Sequence, residues 1–527
     1  MEPADKNNFD KTTEGRKVED NKEIIIKESV NNKVNNKNYW GLYILIAILI
    51  FSFILHIYYF IETKEQVVWW DEAEYLVKAK SIALGTSDQG WNPLRELFMS
   101  LFWAALYKFG ATEIIIRMSS ILIAILSIYF TYLVGKEIFS EWIGLMAAFL
   151  MSIYNQNIFF SFRMLIDIPA TLFWLLSVYF FWKGYVKSKS LKYMILSGVS
   201  IAIGFLAHYS LLFLLIAMVI FIVITQNVKF IREKNLWITL LIIILLVSPY
   251  ILWSLIKYKT PLPRYSAAYV ASQTQPFTPS AWNSYLKYIP LHLQTTLLIF
   301  FIIGLILLLL NLILSFDLIT KNKDKSTYKY LLTLLWFIVP LSIYTYASIE
   351  SSGYSEPRYL LIMLPPISYI TSMGLEKIFM LIKRKSKAIA ITVILLILVF
   401  SAFTQIKAAD SLIKSKLGGP LDSIKQAGLF IKENTNKGDT IMINSMQLEL
   451  EYYSERRVIG FSPNETAMTP KISSDNVKYI IVNGLYPADQ WTFEFPSNHQ
   501  DLLEPVQGYF VDEEKKQPTL IIFKVKQ

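Results

Sequence analysis

Eleven apolar stretches, each close to the roughly 20 residues that carry a helix across a bilayer, leave this chain little choice of fold: 39–61, 114–135, 142–160, 168–186, 191–207, 210–227, 236–256, 291–316, 330–348, 359–381 and 388–406. In lipid such runs satisfy their backbone polar groups as helices, so the sequence predicts a polytopic α-helical membrane protein with about eleven transmembrane helices. Only 17% of the 527 residues are charged, against about 25% in soluble domains, which excludes an ordinary cytosolic enzyme. Cysteine is absent and the four histidines, His56, His208, His292 and His499, are scattered. Disulfides and thiolate chemistry are therefore excluded, and a His-rich metal site is not expected.

The net charge of +10 does not imply nucleic acid, because the excess sits in short loops between the spans. Lys183, Lys187, Lys189 and Lys192 form one cluster; Lys229, Arg232 and Lys234 a second; Lys321, Lys323, Lys325 and Lys329 a third; Lys383, Arg384, Lys385 and Lys387 a fourth. All four fall on one side if the amino terminus is cytoplasmic, as the positive-inside rule requires. Leu97–Phe109 is apolar but only about 13 residues long, and counting it as a crossing would put every cluster outside; it reads as a helix lying in the interface. Residues 1–38 are polar with mixed charge and read as a disordered cytoplasmic tail. They are too long and too acidic for the start of a cleaved signal, so the first span is expected to remain as an anchor.

Three segments then face the extracytoplasmic side: 62–113, 257–290, and everything after about 407. The second, with Pro261, Pro263, Pro276 and Pro279, is expected to form a lid. The third opens on a hinge-like Leu417-Gly418-Gly419-Pro420, followed by a helical pattern at Leu421–Glu433 and strand-like runs at Thr440–Ile443, Val477–Val482 and Thr519–Val525. These predict a small α/β domain without a catalytic motif. The expected division is 1–38 tail, 39–409 transmembrane catalytic domain and 410–527 extracytoplasmic domain.

Three places carry chemistry. Val67-Val68-Trp69-Trp70-Asp71-Glu72-Ala73-Glu74-Tyr75 opens the first outside loop with adjacent carboxylates that could serve as a general base. The competing reading is a helix start capped by Asp71 and Glu74, beside an interfacial tryptophan belt. Arg163 and Asp167, four apart at a short outside turn, would meet on one helical face, or Asp167 merely starts the next helix before Pro169. Arg358 in Glu356-Pro357-Arg358-Tyr359 could hold a phosphate by paired hydrogen bonds, or anchor the interface against Glu356. His208 and Tyr209 occupy another outside turn, and Lys78, Arg95 and Arg264 add outside positive charge. No glycine-rich phosphate cradle follows a strand, which argues against a nucleotide-sugar or ATP substrate. A donor reaching an outside site from within the bilayer would be a lipid phosphate.

The run from Asp71-Glu72-Ala73-Glu74-Tyr75 through Trp91-Asn92-Pro93-Leu94, Tyr107-Lys108-Phe109-Gly110-Ala111-Thr112-Glu113 and Arg117-Met118-Ser119-Ser120 to Ser161-Phe162-Arg163 and Asp167 resembles the protein O-mannosyltransferase and aminoarabinose transferase group. The later Pro357-Arg358-Tyr359-Leu360-Leu361 with Leu364-Pro365 is similar to that group's distal Arg-Tyr-Leu-Leu-Pro signature. Those enzymes are polyprenyl-phosphate-sugar-dependent glycosyltransferases of the GT-C fold.

The resemblance implies Asp71 as catalytic carboxylate beside Glu72, with Asp167 as a second acidic residue near the acceptor. Arg163 and Arg358 become candidates for the donor phosphate, and Tyr75, Lys78, Asn92, Arg95, His208, Tyr209, Arg264 and Tyr359 are candidates for substrate binding. Many relatives carry a basic residue where Asn92 stands, so Arg95 or Arg264 would supply that contact here. The implied activity moves a sugar from a dolichyl or undecaprenyl phosphate to a hydroxyl of a protein, glycan or lipid, with inversion. A transporter or lipid flippase is the alternative, although no repeated halves with broken helices are visible. No cofactor is spelled out; carboxylates alone could hold Mg²⁺ or Mn²⁺.

Overall fold

Each of the eleven apolar stretches folds as helix, but not all at full length. The computed structural model describes residues 39–261, 278–321, 324–351, 353–416, 421–510 and 518–526. The expected tail, the 417–420 hinge, Arg264 and most of the proline-rich outside segment lie outside these residues. By its contacts the chain divides at Ala47–Ile48; everything below, apart from the start of the first helix, belongs to the unit from Ile48 onward.

The membrane part comprises α1 (Trp40–Thr63), α2 (Trp70–Leu84), α3 (Phe98–Lys108), α4 (Glu113–Ile138), α5 (Glu141–Ile153), α6 (Asn155–Ser161), α7 (Asp167–Phe181), α8 (Leu191–Ala207), α9 (Leu211–Gln226), α10 (Lys234–Tyr258), α11 (Tyr288–Thr320), α12 (Tyr328–Glu350), α13 (Leu364–Lys383) and α14 (Lys387–Lys414). Among the described residues seven helices are long and apolar enough to cross a membrane, namely α1, α4, α9, α10, α11, α12 and α14, or eight if α5 and α6, bent by 62°, count as one broken span. The other expected crossings are shorter or more polar: α8 has 17 residues and α7 has 15, and α13 carries Glu376, Lys377 and Lys383. The segment expected in the interface is the 11-residue α3. α11 and α13 cross at Gly304 and Gly374, where a Cβ on either would strike the other helix's backbone.

The carboxyl-terminal part is a sheet with helices on it: α15 (Asp422–Asn434), β1 (Thr440–Ile443), α16 (Gln447–Ser454), β2 (Arg457–Gly460), α17 (Met468–Ser474), β3 (Val477–Asn483), α18 (Gln490–Asn498), β4 (Leu503–Phe510) and β5 (Pro518–Val525). Strand order is β2-β1-β3-β5-β4, with β1 parallel to both neighbours and β5 antiparallel to both of its own. Strand alternation sends Ile441 and Ile443 to one face with Ile424 and Ile431 of α15. Met442 goes to the other face with Phe495. The sequence patterns find α15, β1, β3 and β5 and miss the elements between them, among them the eight-residue strand β4.

This part is not an appendage. α16 packs on α2, and Leu448, Tyr452 and Tyr453 share one apolar core with Val67, Leu76 and Trp103. Glu451 accepts from the Gln89 and Gly90 backbone N–H groups at 3.1 and 2.8 Å and from Ser87 Oγ. Val68 N–H donates to Tyr453 Oη at 3.0 Å, and Lys80 pairs with Glu455 at 2.9 Å. Burial raises the Glu451 carboxyl, against the hydrogen bonds that favour its ionised form. Glu451→Ala would leave three partly buried donors without their acceptor, the penalty for a fully buried one being about 1–3 kcal/mol. A fall of several degrees in the thermal midpoint of the detergent-purified protein is expected, and an unchanged midpoint would show that this carboxylate does not hold the loop.

Candidate active site

The site begins at the first turn of α2. The helix is capped two residues earlier than the sequence suggests: the Trp69 backbone N–H donates to Glu72 Oε2 at 2.7 Å, so Glu72, not Glu74, plays the capping partner. Glu72 is fully buried, and its other oxygen accepts from Met164 N–H at 2.8 Å. Arg163 lies beside it, with Nη1 3.6 Å from Glu72 Oε2 and the guanidinium 3.7 Å from the centre of the Trp69 ring. Glu72 and Arg163 thus tie the 162–166 turn to the start of α2.

Arg163 and Asp167 do not share a helical face. α6 stops at Ser161 and α7 begins at Asp167, so the expected four-residue spacing falls across a non-helical turn and the two side chains go to different neighbours.

With capping left to Glu72, Asp71 and Glu74 turn to Arg95. Arg95 Nη2 meets Asp71 Oδ1 at 2.5 Å and its Nε meets Glu74 Oε2 at 2.5 Å. Arg358, from the 3₁₀ turn Pro357–Met363, reaches the other oxygen, Asp71 Oδ2, also at 2.5 Å. Burial pushes the Asp71 carboxyl up, but the Arg358 and Arg95 guanidiniums together outweigh it and hold it below the usual carboxylate range. For Glu74 burial wins over Arg95, and its carboxyl is raised.

These groups line a small polar cavity together with Tyr75, Asp167, His208 and Tyr359. Asp167 Oδ1 stands 4.0 Å from His208 Nε2. His208 Nδ1 accepts from Ser210 N–H at 3.1 Å, which puts the ring proton on Nε2, toward Asp167. Tyr75 Oη donates to Glu96 Oε2 at 3.2 Å, and Tyr359 stacks on Tyr344. A second, larger cavity shares Arg358 and is lined by Trp69, Asn155, Phe159, Gln294 and Lys416 among others.

Seven of the residues singled out in the sequence therefore meet: Asp71, Tyr75, Arg95, Asp167, His208, Arg358 and Tyr359. Glu72 and Arg163 stand behind them. Lys78 is drawn off to Asp88 at 2.6 Å and over Trp91, and Asn92 shapes its own turn by accepting from Leu94 N–H at 2.9 Å. Tyr209 pairs its hydroxyl with that of Tyr250. Glu449 escapes sequence reasoning: it is 3% exposed, its Oε2 has no hydrogen-bond partner among the described residues, and burial, with the Asp71 charge adding to it, pushes its carboxyl up to about 7. Nothing in Gln447-Leu448-Glu449-Leu450 marks it. Among the described residues no three His, Asp or Glu side chains converge as a metal would need.

Residues 93–253 match the family model of the dolichyl-phosphate-mannose-protein mannosyltransferases. No curated protein matches the chain in sequence. Among solved structures, ArnT from Cupriavidus metallidurans in the apo state superimposes with a TM-score of 0.62 at 10% identity, covering 91% of this chain and 97% of its own. ArnT has also been solved bound to undecaprenyl phosphate. The archaeal oligosaccharyltransferase AglB from Archaeoglobus fulgidus, in complex with an inhibitory peptide and a dolichol-phosphate, gives 0.60 at 14% identity over 93% of this chain and 74% of its own. The mycobacterial arabinofuranosyltransferase AftD gives 0.51 at 10% identity over 92% and 40%. At such identities the likeness is one of fold, and the fold carries several apolar helices and a small sheet domain. The chain is an integral membrane protein with the GT-C glycosyltransferase fold.

Proposed function

We propose that this protein transfers a sugar from a polyprenyl phosphate to an extracytoplasmic hydroxyl acceptor in a single inverting displacement. Asp71 takes the acceptor hydroxyl proton, the oxygen attacks the anomeric carbon, and the bond from that carbon to the phosphate oxygen breaks. The electron pair leaves with the polyprenyl phosphate, and Arg358 and Arg95 stabilise its charge. Asp167 and His208 orient the acceptor from the facing wall. Glu72 and Arg163 act from behind by fixing where Asp71 stands. In this reading the amino terminus is cytoplasmic, and residues 410–527 form the extracytoplasmic domain that braces the catalytic loop.

One observation carries the reading: a carboxylate sits between two guanidiniums in a small polar cavity. Asp71 lies between two arginines, an arrangement that equally suits a phosphate. When the donor phosphate takes that place, Asp71 is released from the pairing that makes it a weak base. A transporter would need its charges spread along a path through the membrane, whereas these gather in one cavity. Purified protein incubated with a panel of radiolabelled polyprenyl-phosphate sugars is expected to discharge at least one of them to water or acceptor. Retention of label on every carrier, with and without added hydroxyl acceptors, would reject the proposal.

A further inference from the structure

Arg358 is held by an anchorage of its own. α11 runs little more than a turn from Tyr288 before it breaks at Gln294, whose φ of 53° and ψ of 171° are not helical. Such a break leaves carbonyls without their helical N–H partners, here those of Leu291 and His292. Side-chain amides take them up: Gln294 Nε2 at the break itself donates to Leu291 O at 3.0 Å, and two other helices supply the rest. Asn155 Nδ2 of α6 donates to Leu291 O at 3.2 Å and His292 O at 3.4 Å, and Gln405 Nε2 of α14 donates to His292 O at 2.8 Å. The two amides also bind each other, Asn155 Nδ2 donating to Gln405 Oε1 at 2.8 Å. Asn155, His292 and Gln405 are 3%, 1% and 0% exposed, and buried polar groups of this kind are costly unless their partners are fixed.

The locked turn faces the segment that leads into Arg358. Tyr288 and His292, four apart and on one side of α11, reach two carbonyls two residues apart: Tyr288 Oη donates to Ser355 O at 3.2 Å, and His292 Nε2 to Pro357 O at 3.0 Å. A carbonyl only accepts, so the imidazole proton is on Nε2. Pro357 immediately precedes Arg358, and two pins in three residues leave the backbone at Arg358 little freedom to shift.

We propose that His292 is the positioning residue for Arg358: held by the Asn155–Gln405 amide pair at the break in α11, it fixes the backbone from which the guanidinium meets the donor phosphate. The inference rests on the reading of Arg358 as the phosphate-holding group. A misplacement of about 1 Å in such a group costs about 10²-fold in rate.

The test uses the full-length protein in detergent, with undecaprenyl phosphate alone for binding and the donor identified in the panel for turnover. His292→Leu removes the donor to Pro357, His292→Asn stops short of it and serves if the leucine variant does not fold, and His292→Gln carries an amide N–H to the Nε2 position. The first two are expected to lose about 10- to 100-fold in kcat and bind undecaprenyl phosphate more weakly, while His292→Gln recovers most of both. Combined with Arg358→Lys, the loss should be strongly non-additive, because both changes act through one guanidinium. A merely structural histidine would give additive losses and no rescue by glutamine. Turnover in His292→Leu or His292→Asn equal to the parent, additive losses, or a glutamine variant as poor as leucine would each overturn the positioning role while leaving the proposed activity standing. A parent protein that neither binds undecaprenyl phosphate nor transfers from any carrier overturns both.

Discussion

Asp71→Asn should reduce sugar transfer by about 10² to 10⁴-fold, the range that positioned proton transfer contributes, while the protein still folds and inserts. Asparagine keeps the shape and one acceptor oxygen but cannot take the acceptor's proton, and it leaves Arg95 and Arg358 without the anion they share. Turnover and thermal midpoint must therefore be measured together, since breaking a partly buried ion pair also destabilises. Near-normal turnover in a folded Asp71→Asn variant would remove Asp71 as the base.

The pH profile gives a second readout of the same group. Asp71 is held below the usual carboxylate range, so the proposed base is ionised above its depressed pKa and lost only as pH falls through it. The acid limb of kcat/KM, which reports the free enzyme, is then expected below about pH 4, the ordinary aspartate value. The acid limb of kcat should lie higher, because at saturation the donor phosphate draws the guanidiniums away. Coincident limbs would mean that the donor does not compete with Asp71 for its arginines.

What the sequence discloses here follows from what is local in it. Apolar run length identifies the helical membrane fold, and order along the chain picks out Asp71, Asp167 and Arg358, because each sits at the end of an apolar run where an ionisable group needs a reason. The capping register of α2 is not legible: Asp71 with Glu74 fits the capping pattern as well as Trp69 with Glu72, and only the approach of Arg95, more than twenty residues on, decides which acid is left for the cavity. The Arg163–Asp167 pairing fails for a similar reason, since it assumes a helix through a turn that Glu72 reshapes from 92 residues away. Docking of α16 on α2 joins positions more than 350 residues apart through Tyr453 and Glu455, and no spacing rule reaches that far. His292 is invisible as well, because its role depends on a helix break whose freed carbonyls are capped by Asn155 and Gln405 from other helices.

Arg358 sets the second large effect, and lysine and alanine separate its charge from its shape. Its Nη2 holds Asp71 Oδ2 at 2.5 Å. In the proposed displacement the same group receives the charge that develops on the departing phosphate, a role in which one lost donor costs about 10² to 10³ in kcat. Arg358→Ala should lose that much and should also move the acid limb of kcat/KM upward, since only Arg95 then opposes the burial that raises Asp71. Arg358→Lys keeps a cation, so the acid limb should stay close to that of the parent, yet kcat should still fall by about tenfold or more because an ammonium cannot make the paired, planar contact to phosphate. If alanine at 358 raises KM for the donor and leaves kcat untouched, the arginine binds ground state and transition state alike, and leaving-group stabilisation must come from Arg95 or from residues beyond the cavity. If alanine leaves both constants and the acid limb unchanged, the Asp71–Arg358 pair has no part in transfer, and the proposed displacement loses the group that receives its negative charge.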